Sequence, residues 1–206
     1  MVTMPQIKPT TSRTLFRAAI AFTSSLLIIP GSQAVPTCVV QMARVNDPNP
    51  PLNVRSSPQV QSNNVVSSLK NGTYVSVISE KAGWFQIQTP TKGWISKTRT
   101  QYGCNQKSAD LSLASQTRPL VVRDRFIGTG THQYRFSGTQ GQTLTLIRQK
   151  GPLPNLIAPQ GQFLAIEDDR ESVTSWSGKL PATGSYSLQL DSNFRGYDYR
   201  FSVQLR

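Results

Sequence analysis

VVSSLKNGTYVSVI, residues 65–78, places two β-rich runs on either side of Asn71-Gly72. A two-residue turn of this kind needs positive φ at both central positions, and Asn-Gly meets that need at little steric cost. The stretch predicts a β-hairpin. Outward from it, WFQIQ at 84–88 gives a third β-rich run after Ala82-Gly83. Trp94-Ile95-Ser96 gives a fourth, after Pro90-Thr91-Lys92-Gly93. Nothing in this segment carries the period of an amphipathic helix.

Further along, residues 105–118 become polar, small and charged, with few apolar side chains to bury. Such composition predicts a linker, in which Leu111 and Leu113 can dock a short strand. Beyond it the alternation returns. Tyr197, Tyr199, Phe201, Val203 and Leu205 alternate with Asp198, Arg200, Ser202 and Gln204, the period-two signature of a half-buried strand. Tyr186, Leu188 and Leu190 repeat it, His132, Tyr134 and Phe136 share one face, and so do Leu144 and Leu146. Turn glycines at 128, 138, 141, 161 and 184 space these runs as in an antiparallel sandwich. The fold class expected is all-β.

The first 34 residues read differently. Lys8, Arg13 and Arg17 precede the 12-residue apolar run AAIAFTSSLLII at 18–29, and Ser32-Gln33-Ala34 closes it. That order is a secretory signal peptide, and the run falls short of the roughly 20 residues that span a bilayer. Export to the periplasm or beyond is the expectation, with no membrane span left after cleavage. The leader carries three of the 22 basic residues and none of the ten acidic ones, so the mature chain keeps an excess of nine positive charges. In an exported protein such charge suits anionic envelope polymers rather than nucleic acid, or serves as a solvated surface. An even pair of cysteines, Cys38 and Cys104, reads as a disulfide in that setting. It brackets one stretch of chain and marks a domain there.

That stretch resembles the bacterial SH3 family, small barrels common in exported cell-wall proteins. The residues that carry the resemblance are Leu52-Asn53-Val54-Arg55-Ser56-Ser57-Pro58, Val65-Val66 and Leu69-Lys70-Asn71-Gly72. They continue with Val75, Val77, Gly83-Trp84-Phe85, Ile87 and Gly93-Trp94-Ile95. The proline-rich approach, Asp47-Pro48-Asn49-Pro50-Pro51, departs from the pattern and reads as an extended loop. Val54, Val66, Leu69, Val75, Val77, Ile87 and Ile95 are the expected core. Asn53, Arg55, Tyr74, Trp84 and Trp94 are the candidate ligand-binding residues, aromatic faces for stacking and polar groups for directional hydrogen bonds. The competing reading packs the tryptophans into the barrel and uses Arg55 to brace a turn. Residues 119–206 resemble the bacterial pre-peptidase C-terminal sandwich and the related sandwich of periplasmic lysozyme inhibitors. That resemblance rests on Tyr134-Arg135-Phe136, residues 141–146 (GQTLTL), 176–181 (WSGKLP), 184–190 (GSYSLQL) and the closing strand. The domain organisation expected is a signal peptide at 1–34, a barrel at 35–104, a linker at 105–118 and a sandwich at 119–206. The barrel resemblance implies peptidoglycan or another anionic envelope polymer as partner; the sandwich resemblance implies, as an alternative, inhibition of a lytic enzyme.

Catalytic signals are weak by comparison. The single histidine, His132, lies in an alternating strand and reads as a packed residue. A Cys–His nucleophile, the machinery of a wall hydrolase, needs a free thiol that pairing of the cysteines removes. Ser67-Ser68-Leu69-Lys70 matches Ser-x-x-Lys without companion motifs. Residues 167–171 (EDDRE) cluster acids but lack an EF-hand spacing, and no zinc-type Cys/His spacing occurs. The expectation is a non-enzymatic protein without metal or cofactor, and a wall hydrolase with another kind of site is the remaining alternative.

Overall fold

The structure, a computed structural model, describes residues 37–113, 117–165 and 172–206. The stretch read as a signal peptide, 1–34, and the acidic cluster at 167–171 lie outside the described residues. What is described is all-β apart from one 3₁₀ turn, Lys97–Arg99. No helix among these residues is long and apolar enough to cross a membrane.

The chain begins with β1 (Thr37–Val39) and then builds a barrel-like sheet. Its strands are β2 (Met42–Val45), β3 (Leu52–Arg55), β4 (Val65–Leu69), β5 (Tyr74–Lys81), β6 (Trp84–Thr89), β7 (Gly93–Ser96) and β8 (Thr100–Tyr102). They order as β4-β3-β7-β6-β5-β2-β8, and every pairing is antiparallel. The sandwich follows, with β9 (Gln106–Asp110), β10 (Leu120–Arg125), β11 (Gly130–Gly138), β12 (Thr143–Lys150) and β13 (Asn155–Ile157). It ends with β14 (Phe163–Ala165), β15 (Ser175–Lys179), β16 (Gly184–Ser192) and β17 (Asp198–Leu205). One of its sheets runs β1-β9-β11-β16-β13-β14 and the other β10-β17-β12-β15.

Three expectations change at this level. Asn71-Gly72 makes a turn, with Gly72 at φ 85°, but β4 pairs with β3 while β5 pairs with β2 and β6. The hairpin ladder is replaced because the turn docks on the end of β2. The Asn71 carboxamide accepts from Asp47 N–H and donates to Asp47 C=O, both at 2.8 Å, and Gly72 N–H donates to Val45 C=O at 2.9 Å. Val66, expected in the core, is 57% exposed on β4, an edge strand of the sheet. Only one face of that strand meets the barrel, and Leu69 is the residue that fills it.

The third change concerns the stretch read as a linker. Residues 106–110 form β9, which pairs in parallel with β11 and antiparallel with β1. Its low apolar content suits a strand that offers its neighbours backbone hydrogen bonds more than side-chain burial. Leu113 is buried in the sandwich core and Leu111 packs partly against it. The cysteine bracket shifts accordingly. Cys38 sits in β1 and Cys104 just ahead of β9, so the barrel is an excursion between two paired strands of the sandwich. The disulfide, S–S 2.02 Å, closes the neck of that excursion.

Two cores result. The barrel buries Ala43, Val45, Leu52, Val54, Leu69, Val75, Val77, Phe85, Ile87 and Ile95. In the sandwich, the alternating faces of β11, β12, β16 and β17 meet, bringing Tyr134, Phe136, Tyr186, Tyr199 and Phe201 together with Leu144, Leu146, Leu188 and Leu190.

Candidate functional site

Strand alternation decides which barrel residues can reach a ligand. On β6, Phe85 and Ile87 point into the core, so Trp84 and Gln86 point outward. Gln86 faces Trp94 on β7, and Trp94 faces Arg55 on β3. Gly93 permits this approach. It has φ 149°, and a Cβ there would lie 2.5 Å from Val54 Cγ1 and 2.8 Å from Arg55 C=O. Both tryptophans are half-buried, and neither belongs to the barrel core.

An open groove of about 400 Å³ lies on this outer face, bounded by Asp47, Asn49, Pro51, Leu52, Asn53, Arg55, Val60, Trp84, Ser96, Thr98 and Arg99. Three of the five predicted residues, Asn53, Arg55 and Trp84, therefore line one concavity. Trp94 shares the face without lining the groove. Tyr74 stands apart, at the seam with the sandwich, where its hydroxyl donates to Arg195 C=O at 2.8 Å and Arg44 lies over its ring.

The groove walls are held by polar hubs. Arg55 Nη1 donates to Gln61 C=O at 2.9 Å and to Asn64 Oδ1 at 2.7 Å. Asn64, buried, donates in turn to Ser57 Oγ and Gln59 C=O. Arg55 thus braces the 56–64 loop with one nitrogen, and among the described residues it has no carboxylate partner. Arg99 differs, because its Nη1 lies 2.5 Å from the buried Asp47 Oδ1. The groove therefore carries one neutralised cation and one that is not.

The opposite wall is what sequence reasoning missed. Residues 47–51, read only as an extended loop, supply Asp47, Asn49 and Pro51 to the lining. The usable signal was Asp47 two residues before Asn49. Its carboxylate accepts from Asn49 N–H at 2.9 Å, the local turn that Asp side chains favour, and fixes the segment against Arg99.

His132 is a packed residue. It is fully buried, its Nε2 lies 2.7 Å from Cys104 C=O and its Nδ1 lies 2.5 Å from Tyr199 Oη. A carbonyl only accepts, so Nε2 carries the proton and Nδ1 accepts from Tyr199, which accepts from Tyr134 at 2.5 Å. Burial holds the His132 pKa below its ordinary value and pushes those of Tyr134 and Tyr199 up. Cys104 is thus beside the histidine through its carbonyl, while its sulfur is bonded to Cys38. The pair forms no thiol–imidazole nucleophile. No group of three or more metal-binding side chains occurs among the described residues.

Solved structures similar to the chain include a periplasmic inhibitor of g-type lysozyme, PliG, from Aeromonas hydrophila, at 20% identity and TM-score 0.42, covering 50% of this chain and 98% of that one. A mutant of PliG from Escherichia coli is 15% identical with TM-score 0.37, over 50% of this chain and 100% of that one. NlpC2 from Trichomonas vaginalis is 10% identical with TM-score 0.29, over 79% of this chain and 47% of that one. No curated protein matches. Residues 50–101, about a quarter of the chain and most of the groove lining, match the family model of the bacterial SH3 domain.

Proposed function

We propose that the protein is an exported, non-catalytic envelope-binding protein of the periplasm, whose barrel groove takes an anionic segment of the cell wall, with peptidoglycan the first candidate. The observation that carries this reading is Arg55. One guanidinium nitrogen is spent on the loop, and Arg55 lines a groove that also holds Trp84 and Asn53. A carboxylate of a wall peptide would meet Arg55, its aliphatic stem or a sugar ring would lie on Trp84, and Asn53 would fix orientation. The signal-peptide pattern at 1–34, the excess of positive charge and the bacterial SH3 match support the same reading.

Co-sedimentation of the mature protein with purified sacculi at low salt tests it. Pelleting that weakens about tenfold in Trp84→Ala and in Arg55→Gln is expected, since charge-assisted and aromatic contacts each contribute about 1–2 kcal/mol. No pelleting at low salt, or pelleting that neither variant changes, would overturn it. Release of soluble muropeptides by the pure protein would overturn the non-catalytic part, and inhibition of a lysozyme would move the function to the sandwich.

A further inference from the structure

At the end of the sandwich nearest the barrel, the turn Asn193–Gly196 joins β16 to β17 and places Phe194 at φ 71° with 81% of its surface exposed. A bulky side chain in the left-handed region strains the backbone, and an exposed phenylalanine forgoes its burial. Neither cost is recovered inside the fold.

The turn is nonetheless firmly seated. Arg195 C=O accepts from the Tyr74 hydroxyl at 2.8 Å, and Tyr197 C=O accepts from Phe126 N–H at 2.8 Å. At Gly196, φ 77°, a Cβ would lie 2.3 Å from Phe126 C=O. The ring is therefore presented on a rigid mount.

The strand this turn leads into, with its neighbour β10, carries several cations. On the outer face of β10 and β17, Arg123 stands directly opposite Arg200, and Arg125 opposite Asp198. Like charges directly across two strands repel. Asp198 is taken by Lys150 at 2.6 Å, and the Lys150 hydrogen bond, with Arg125 nearby, holds its carboxyl below the usual range. Arg123, Arg125, Arg195 and Arg200 are all exposed and make no ion pair among the described residues. Farther along the same face, Val121 and Ile147 flank Ser202 in register and are 43% and 46% exposed.

We infer that this end of the sandwich docks on an anionic lipid bilayer, with Phe194 entering the boundary between headgroups and acyl chains and the four arginines meeting phosphates. Side chains on one sheet face lie about 5 Å apart across strands and about 7 Å along them, close enough to meet neighbouring phosphates of a headgroup layer. An exposed ring at the turn that enters β17 finds apolar surroundings in a bilayer, whereas a soluble polyanion offers it none. This surface is separate from the barrel groove, and sacculi hold no bilayer, so the two readings stand or fall apart.

Flotation of the mature protein with vesicles of phosphatidylcholine alone, or of phosphatidylcholine mixed with phosphatidylglycerol, provides the test. Binding to the anionic vesicles at least about tenfold tighter is expected. Phe194→Ala should lower that affinity about tenfold, and Arg123→Gln with Arg200→Gln by at least as much. Trp84→Ala should leave it unchanged. Phe194→Gly relieves the strained φ, so it must keep or raise Tm while losing affinity, which separates docking from folding. Failure to bind anionic vesicles at low salt overturns the inference. So does binding that Phe194→Ala leaves intact and that soluble polyphosphate fully competes, because the surface would then be a general polyanion site.

Discussion

The barrel and the sandwich are both all-β, yet they are held together by different means. The barrel core is ten mostly aliphatic residues with Phe85 as its one large aromatic side chain. A unit of that size buries too little apolar surface to be comfortably stable alone. Its loops are fixed instead by polar hubs, Asn64 under the groove and Asp47 between Asn71 and Arg99. At its base, Asn105 Oδ1 accepts from Gln41 and Met42 N–H, each at 2.8 Å, while its Nδ2 donates to Ile127 and Thr129 C=O. The sandwich has a larger, aromatic core and turns its polar groups inward, where Tyr134, Tyr199 and His132 satisfy one another. The difference teaches that the barrel is stabilised from outside, by its attachment, and the sandwich from within.

The largest effects should break that symmetry. Phe201→Ala empties the middle of the sandwich and should cost about 4 kcal/mol. Because the barrel is rooted in β1 and β9, unfolding should take it along. Phe85→Ala should cost somewhat less, about 3 kcal/mol, and open the barrel while the sandwich stays closed. Hydrogen exchange read separately over residues 42–102 and 120–205 distinguishes the two. Equal loss of protection in both regions for both variants would show a single cooperative unit.

Next comes the neck. Replacing Cys38 and Cys104 by Ser removes a crosslink spanning 66 residues, all of them in the barrel and its entry. The expected cost is about 3 kcal/mol. It should fall on the barrel first, seen as protease cleavage in the loops at 47–51 and 56–64 before any in the sandwich. Cleavage that begins in the sandwich would contradict an attachment-dependent barrel.

These expectations also mark where the sequence could be read and where it could not. Strand alternation at 197–205 and 184–190 announced the sandwich core, because one wet face and one dry face leave a period-two trace in the residues. Asn53, Arg55 and Trp84 could be picked out as groove-lining candidates because they sit at outward positions beside recognisable core residues. Pairing partners left no such trace. Asn71-Gly72 specifies a turn, but whether the flanking strands pair depends on β2, about 25 residues earlier, whose end takes the turn's hydrogen bonds. Residues 105–110 looked like a linker because a strand stabilised mainly by backbone hydrogen bonds needs little apolar content. The groove wall at 47–51 was hidden for the same reason, since its shape comes from a buried carboxylate.

A smaller effect tests the inward polar chain. Tyr199→Phe leaves His132 Nδ1 without its donor in a buried site and should cost about 2 kcal/mol. The chain also has a pH signature. Burial lowers the His132 pKa in the folded protein below the ordinary imidazole value of about 6.5. Above about pH 6.5 the ring is neutral in both states and its contribution to stability is complete. As pH falls below that value the unfolded chain takes up the proton first, so stability is lost down through the folded pKa. The midpoint of urea unfolding should therefore fall on acidification from pH 7 to 5. A midpoint that rises over this range would mean that His132 is stabilised as the cation.

The smallest expected change in stability belongs to the groove. Trp84 is half-buried, lies outside the barrel core and rests on the outer face of β6, so Trp84→Ala should move stability by no more than about 0.5 kcal/mol. Trp94 shares that face yet stands outside the groove lining, opposite Arg55. Trp94→Ala should therefore disturb the bracing of Arg55 more than it disturbs a bound ligand. Measured side by side, Trp84→Ala should reduce sacculus binding with Tm unchanged, and Trp94→Ala should lower Tm with a smaller change in binding. The reverse pattern would move the contact surface from the groove to the β3–β7 seam, and Arg55 would then act on the ligand only through the loop it holds.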